Sequence, residues 1–282
     1  MSKNLFGIMQ GRLLPKYQRN YQAHPVGYWQ DEFKIASKLG FDCIEFILDY
    51  KLSNSNPLLL ETGLDQIISL SKKNNVSVRS VCADYFMDSP IFLDDLDKKK
   101  QNLDTLKKLF LNAKKINITD IIIPLVDNSS VLQSKEKAKL SVNFFKNFFN
   151  LINFENINIC LETDLPPQHF LEFINNIDHP QIKINYDTGN SASMGYDFFE
   201  EFETYGHLVT NIHIKDRKLN GKSVALGLGE CNFKEIFKYL CQKNYDGIFI
   251  LQAFRGDDAL SSLIPQYKYI KNYIEKYFYK ES

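Results

Sequence analysis

Eight short apolar segments alternate with longer amphipathic segments along the chain, and this alternation restricts the fold more than any other feature of the sequence. Apolar segments of this length are typical of strands that are buried on both faces of a parallel sheet. The intervening segments are long enough to form crossover helices. The apolar segments are residues 5–9, 43–46, 78–82, 121–125, 157–161, 182–186, 209–214 and 247–251.

The number of these strand and helix units favours a closed barrel. Eight units in 282 residues suit either a barrel or a long open sheet. A closed α/β barrel needs roughly 250 residues. No G-x-G-x-x-G motif follows the first segment, where an open dinucleotide-binding sheet carries its phosphate turn. We therefore predict a single α/β domain, a (β/α)8 TIM barrel that spans residues 1–282.

Local signals place several helix boundaries. Thr62 precedes one amphipathic segment, the pair Pro166 and Pro167 opens another, and Gly40 closes a third. The aromatic and basic stretch 267–279 has apolar residues at helical spacing. This spacing predicts a last helix that packs onto the barrel.

Charge and cysteine content exclude several classes of partner. Lys plus Arg and Asp plus Glu both number 34, so no overall field attracts nucleic acid or an anionic membrane. The five cysteines form no C-x-x-C pair, which predicts reduced thiols. The sequence shows no signal peptide and no apolar run near the ~18 residues that span a bilayer. We expect a cytoplasmic protein with a small-molecule partner, and the sequence leaves open whether it forms a homo-oligomer.

Ligand-capable side chains lie at or just past the ends of the last four apolar segments, at the end of a barrel where enzymes of this architecture carry their active sites. Adjacent strand ends lie only ~5 Å apart, so these side chains can converge. Two carboxylates, an imidazole and an amide oxygen suit one divalent ion: Mn, Mg, Co, Fe or Zn. Singly, each residue could instead cap a helix or make a structural hydrogen bond. The predicted metal ligands are Glu162, Asp187, His213 and Gln252.

Other strand ends and loops supply candidates for substrate contact and proton transfer. The long segment 14–27 after the first strand is a candidate lid, although an ordered surface loop is equally compatible with its length. Basic residues after the seventh and eighth strands could hold a phosphate or another anion, or form a solvated loop. The predicted substrate-binding residues are Gln10, Arg12, His24, Asp84, Asn190, Asp216, Arg217 and Arg255, and the predicted catalytic residues are Glu162, Glu45 and Lys215.

Six short motifs around these positions carry a family resemblance that covers nearly the whole chain. They resemble the xylose-isomerase-like TIM-barrel superfamily, in particular its sugar phosphate isomerase/epimerase branch. The motifs are GIMQGRL at 7–13, LGFDCIE at 39–45, LETD at 161–164, NYDTGN at 185–190, IHIKD at 212–216 and LGLGECNF at 226–233. The resemblance implies a metal held by the residues that end strands five to eight.

The chain departs from the family pattern at Gln252. In the epimerases that it resembles, the residues that end the fifth and eighth strands are both glutamates, and they exchange a proton with opposite faces of a ketose. Here the first is Glu162 and the second is glutamine. An amide oxygen can coordinate a metal, but the amide cannot accept a proton in this chemistry.

The leading hypothesis is a metal-dependent isomerase or epimerase that acts on a sugar or sugar-phosphate-like substrate through an enediolate-type intermediate. Glu162 is the expected base, and the second proton carrier is open among Glu45, Asp84, His24 and Lys215. One alternative is a metal-dependent hydro-lyase of a keto-polyol, similar to inosose dehydratase. Another is a sugar-binding barrel that has lost catalysis. An apurinic endonuclease is disfavoured because the chain has only five histidines and a neutral charge.

Overall fold

The structure is a computed structural model that describes residues 4–152 and 156–279, and in these residues eight parallel strands close into a barrel. Each strand pairs with its neighbours in sequence, and the last pairs with the first. The predicted (β/α)8 barrel is therefore confirmed, and each predicted segment overlaps one strand. The strands are β1 (Phe6–Met9), β2 (Cys43–Ile47), β3 (Ser77–Cys82), β4 (Asp120–Leu125), β5 (Asn158–Thr163), β6 (Ile182–Asp187), β7 (Val209–Ile214) and β8 (Ile248–Leu251).

Helices connect the strands. Residues 216–217 and 223–224 also form a short antiparallel hairpin beyond β7. The helices are α1 (Asp31–Leu39), α2 (Glu61–Asn74), α3 (Tyr85–Asp88), α4 (Leu96–Lys115), α5 (Lys135–Leu151), α6 (Pro167–Ile177), α7 (Thr188–Met194), α8 (Phe198–Tyr205), α9 (Phe233–Gln242) and α10 (Ala259–Phe278).

Two of the predicted helix boundaries are confirmed and one is displaced. Gly40 ends α1 with a φ of 82°, a left-handed conformation that glycine adopts without steric cost. Pro167 occupies the first turn of α6, where its missing N–H is not needed. In contrast, α2 begins at Glu61, so Thr62 lies inside the helix rather than at its cap. The displacement has a local cause, because the chain enters α2 directly from a helical turn at Pro57–Leu59.

Two apolar regions stabilise the barrel. The larger lies between the strands and the surrounding helices, and α10 contributes Tyr267, Ile270 and Ile274 to it, as the spacing in 267–279 predicts. In the described part of the chain, no helix is both long enough and apolar enough to cross a bilayer. The smaller region fills the barrel interior with alternate strand residues: Met9, Cys43, Ile47, Cys82, Ile122, Cys160, Ile248 and Ile250.

Candidate active site and metal centre

Glu162, Asp187 and His213 form a compact cluster at the carboxyl ends of β5, β6 and β7. The sheet register places Asp187 directly beside His213. One potential ligand atom from each residue lies within 4.8 Å of the others, and all three residues are buried. Asp187 also caps α7, because its Oδ1 accepts a hydrogen bond of 2.8 Å from the Asn190 N–H. The helix-cap interpretation and the ligand interpretation of Asp187 are therefore compatible.

Glu45 fixes the orientation of His213. Nε2 of His213 donates to Oε1 of Glu45 at 2.6 Å, which leaves Nδ1 3.0 Å from Nδ2 of Asn185 and 3.4 Å from Oε2 of Glu162. Burial alone would lower the pKa of His213, but Glu45 and Glu162 outweigh burial and raise this pKa to about 10. The surroundings therefore favour positive charge at this point. A carboxylate behind a histidine is also the usual support for a metal-binding imidazole.

The structure places Glu45 differently from the prediction that β2 ends at Phe46. The strand continues to Ile47, so Glu45 lies within it, fully buried and one layer below the strand end. A register shift between Ile44 and Glu45 sets Glu45 opposite Ser80, whose hydroxyl donates to Oε2 of Glu45 at 2.6 Å. Glu45 is not among the residues that line the neighbouring cavity. Its contacts are those of a group that orients His213.

Two asparagines hold the carboxylate of Glu162. Nδ2 of Asn185 donates to Oε2 at 2.8 Å, and Nδ2 of Asn190 donates to Oε1 at 2.6 Å. Asn190 was predicted to contact substrate, whereas Asn185 was not singled out. The sequence could have indicated Asn185, because alternate residues of a strand share a face and Asn185 precedes Asp187 by two residues on the same strand.

The donor set fits a divalent ion. Oε1 of Gln252 is buried and has no hydrogen-bond partner among the described residues, although its amide Nε2 donates to Oε1 of Gln22 at 2.9 Å. Gln252 and Glu162 line the same cavity. Two carboxylates, one imidazole and one unpaired amide oxygen form a mixed O/N donor set that suits a divalent ion such as Mn, Mg, Co, Fe or Zn.

A cavity of about 570 Å³ opens above this cluster. It is large enough for a small sugar derivative, given that ligand pockets span roughly 300–1,000 Å³. Asp187 and His213 are not among its lining residues. Seven of the predicted site residues line it: Arg12, Asp84, Glu162, Asn190, Lys215, Arg217 and Gln252.

Lys215 and Arg217 converge on Asn190 at one side of the cavity. Nζ of Lys215 donates to Oδ1 of Asn190 at 3.1 Å and to Oδ2 of Asp187 at 3.2 Å. Nη1 of Arg217 donates to the same Asn190 oxygen at 2.9 Å. Lys222 and Ser223, from the hairpin, line the cavity nearby. This side of the cavity is consequently positively charged.

Asp84 brings a second carboxyl group to the cavity wall. Its Oδ2 accepts a hydrogen bond of 2.8 Å from Nε2 of Gln22, and its Oδ1 accepts one of 3.1 Å from Sγ of Cys82. Burial raises the pKa of Asp84 above its usual range. A larger fraction of this group is therefore protonated near neutral pH than for an exposed aspartate.

Two predicted substrate-binding residues from the first strand and its loop lie outside the cavity lining. Oε1 of Gln10 accepts from the Ile47 N–H at 3.0 Å and lies 2.9 Å from Nδ1 of His24. Burial lowers the pKa of His24 to about 4. A neutral imidazole in this position connects β1 to the loop that follows it.

Two predicted substrate-binding residues from the later loops, Asp216 and Arg255, also lie outside the cavity lining. Asp216 accepts hydrogen bonds from the backbone N–H groups of Gly227, Gly229 and Cys231, and so shapes the turn after the hairpin. Arg255 donates to the backbone oxygens of Tyr21 and Leu14. The carboxylate of Asp216 and the two terminal nitrogens of Arg255 therefore bind backbone groups and hold the loops in place.

The candidate lid, residues 14–27, covers one side of the cavity. Tyr21 and Gln22 from this segment line the cavity together with Arg12. Sequence reasoning missed Gln22, because a glutamine among several polar loop residues carries no periodicity or motif that marks it. The lid interpretation itself depends on motion and stays a prediction.

Comparison with known proteins agrees with the observed fold. The sequence profile described as "Xylose isomerase-like TIM barrel" matches residues 33–273. L-ribulose-5-phosphate 3-epimerase UlaE of Shigella flexneri is 22% identical over 263 residues, which cover 89% of this chain and 92% of that protein.

Two solved structures share the fold. D-psicose 3-epimerase of Clostridium cellulolyticum H10, determined with D-tagatose, superposes with a TM-score of 0.73 at 16% identity, covering 98% of both chains. The IOLI protein with a binding zinc atom superposes with a TM-score of 0.74 at 15% identity, covering 98% of this chain and 100% of that one. The matched profile spans most of the barrel and five of the six motifs, all but the one at 7–13, and the chain belongs to the xylose isomerase-like TIM barrel family.

Proposed function

We propose that this protein is a metal-dependent epimerase or isomerase that acts on a phosphorylated ketose through an enediolate-type intermediate. The observation that carries the proposal is that Glu162 belongs both to the buried cluster with Asp187 and His213 and to the lining of the cavity. A carboxylate in this position can hold an ion and reach a substrate carbon. The relatives with sugar epimerase names support the same substrate class.

Glu162 serves as the base that removes the proton from the carbon next to the sugar carbonyl. The hydrogen bonds from Asn185 and Asn190 fix both of its oxygens, so the carboxylate is oriented before substrate arrives. When bound, a divalent ion supplies Lewis-acid stabilisation of the negative charge that develops on the sugar oxygens. Glu162, Asp187, His213 and Oε1 of Gln252 would hold it.

Asp84 is the best-placed second proton carrier. Gln252 occupies the eighth-strand position and cannot accept a proton, and neither Glu45 nor His24 lines the cavity. Lys215 lines it, but its ammonium group is hydrogen-bonded to Asp187 and Asn190. Asp84 lines the cavity with a raised pKa, which suits a group that must donate a proton as well as accept one.

The positively charged side of the cavity accommodates the phosphate. Arg217, Lys222 and Ser223 lie together there and offer charged and hydroxyl donors. The loops after strands seven and eight are a frequent phosphate site in this fold. L-Ribulose 5-phosphate, the sugar after which the relative from Shigella flexneri is named, combines a ketose with this group.

The test is to incubate the protein, stripped of metal and then reconstituted with Mn²⁺ or Co²⁺, with L-ribulose 5-phosphate and with unphosphorylated L-ribulose. We expect a metal-dependent product of unchanged mass and altered retention, formed with a higher kcat/KM from the phosphorylated sugar. A product that has lost one water would instead support the hydro-lyase, which the neutral Gln252 favours. A protein that binds metal and both sugars without turnover would support the binding barrel.

A further inference from the structure

Gln22 connects three strand ends through one side-chain amide. Its Oε1 accepts hydrogen bonds from Nη2 of Arg12 and from Nε2 of Gln252, both at 2.9 Å. Its Nε2 donates to Oδ2 of Asp84 at 2.8 Å. The lid segment therefore contacts the chain after β1, after β3 and after β8 through a single residue.

The hydrogen-bonding partners determine which end of each side-chain amide, of Gln22 and of Gln252, is the oxygen and which is the nitrogen. A guanidinium has only donors, so the Gln22 atom that faces Arg12 must be the oxygen. The Gln22 nitrogen then faces the carboxylate of Asp84, which accepts. Because Gln252 meets the same Gln22 oxygen, it must present its own NH2 group there. Its oxygen is left pointing elsewhere.

The remaining oxygen of Gln252 is buried and has no hydrogen-bond partner among the described residues. A buried, unpaired amide oxygen costs free energy unless a partner satisfies it. The cavity wall at this point is shared with Glu162, and the amide oxygen is the only atom of the Gln252 amide that can coordinate a cation.

We propose that Gln22 is the positioning residue that turns the amide oxygen of Gln252 toward the metal. This proposal rests on the metal site of the proposed function. It adds the contact that fixes which end of the Gln252 amide faces the metal. Without Gln22, the two ends of the Gln252 amide exchange by rotation about the last side-chain bond, and the NH2 group faces the cation in part of the population. Gln22 and Gln252 therefore work as a matched pair.

The matched pair has a consequence for the substitution Gln252→Glu. A carboxylate oxygen in place of Nε2 would face the Gln22 oxygen with no proton between them, where the two atoms are 2.9 Å apart in the parent. Glutamate at this position adds charge to the metal site but loses its orienting contact. The gain in metal affinity should therefore be larger when Gln22 is also replaced by a residue without an oxygen.

The test compares three variants by titration of metal-stripped protein with Co²⁺, read by calorimetry and by the visible absorption band of the bound ion. Gln22→Leu removes the orienting acceptor and should weaken Co²⁺ binding about 10-fold or more, and change the band. Gln22→Glu is made together with Asp84→Asn, so that an amide donor rather than a carboxylate faces the new carboxylate oxygen. It keeps an acceptor for Arg12 and Gln252, so its affinity should stay at least equal to that of the parent. The control is Gln18→Leu, the same change at an exposed position of the same segment.

Two results would overturn the role of Gln22 while leaving the metal site intact: Gln22→Leu that binds Co²⁺ as tightly as the parent, or Gln22→Glu with Asp84→Asn that binds as weakly as Gln22→Leu. The second result would mean that Gln22 only stabilises the loop. If Gln22→Leu does not fold, Gln22→Met removes the same amide at the same side-chain length. A parent protein that binds no Co²⁺ would overturn the metal site itself.

Discussion

Replacing Asp187 with asparagine is expected to weaken the binding of Mn²⁺ or Co²⁺ by at least about 100-fold, because the change removes a formal charge from the metal site. Asparagine keeps an oxygen that can accept the hydrogen bond from the Asn190 N–H, and it is a good N-cap for α7. The substitution therefore isolates the charge from the helix cap. The measurement is a metal titration of stripped protein.

Asp197→Asn is the matched control for this experiment. Asp197 caps α8 in the same way, by accepting from the Glu200 N–H at 2.9 Å, and is not part of the metal cluster. This variant should bind metal as the parent does. If Asp187→Asn also binds metal with parental affinity, Asp187 is a helix cap alone and the assigned metal centre is wrong.

Replacing Glu162 with glutamine is expected to lower turnover by roughly 100-fold or more while part of the metal affinity remains. Glutamine keeps one oxygen that can coordinate or accept from Asn190 or Asn185, but it cannot take up the substrate proton. The fall should appear in kcat at saturating metal, because the lost function belongs to the chemical step.

Glu172→Gln provides the control, since Glu172 is an exposed residue of α6 and undergoes the same chemical change. Its kcat should match that of the parent. Near-normal turnover by metal-saturated Glu162→Gln would place the base elsewhere, and Asp84→Asn would then be the variant to measure, as Asp84 lines the same cavity.

The sequence was sufficient to predict the barrel and the residues that meet at its end. The strands are short apolar segments with distinct boundaries. Eight of them suit a closed barrel or a long open sheet, and the absence of a G-x-G-x-x-G motif after the first segment favours the barrel. Glu162, Asp187 and His213 were identifiable because each lies at or just past the end of an apolar run, and a barrel brings such ends together. The convergence of these three residues depends on the strands and not on the conformation of any loop.

The positions of Glu45 and of the lid contacts could not be predicted in this way. Glu45 lies one layer below the strand end because β2 continues to Ile47. The register shift that sets Glu45 opposite Ser80 depends on both strands at once. Arg255 and Asp216 resemble substrate-binding residues in sequence, yet they hold backbone groups of loops. Gln22 acts through partners that are distant in sequence, since Asp84 and Gln252 lie 62 and 230 residues away.

The most direct test of the metal centre is a crystal structure of the protein grown with Mn²⁺, with an anomalous difference map recorded at a wavelength where manganese scatters strongly. We expect one peak per chain, about 2.0–2.3 Å from carboxylate oxygens of Glu162 and Asp187 and from Nδ1 of His213, with the amide oxygen of Gln252 facing it. A map with no peak between these residues, or with manganese bound only elsewhere on the protein, would contradict the metal centre on which the proposed function depends.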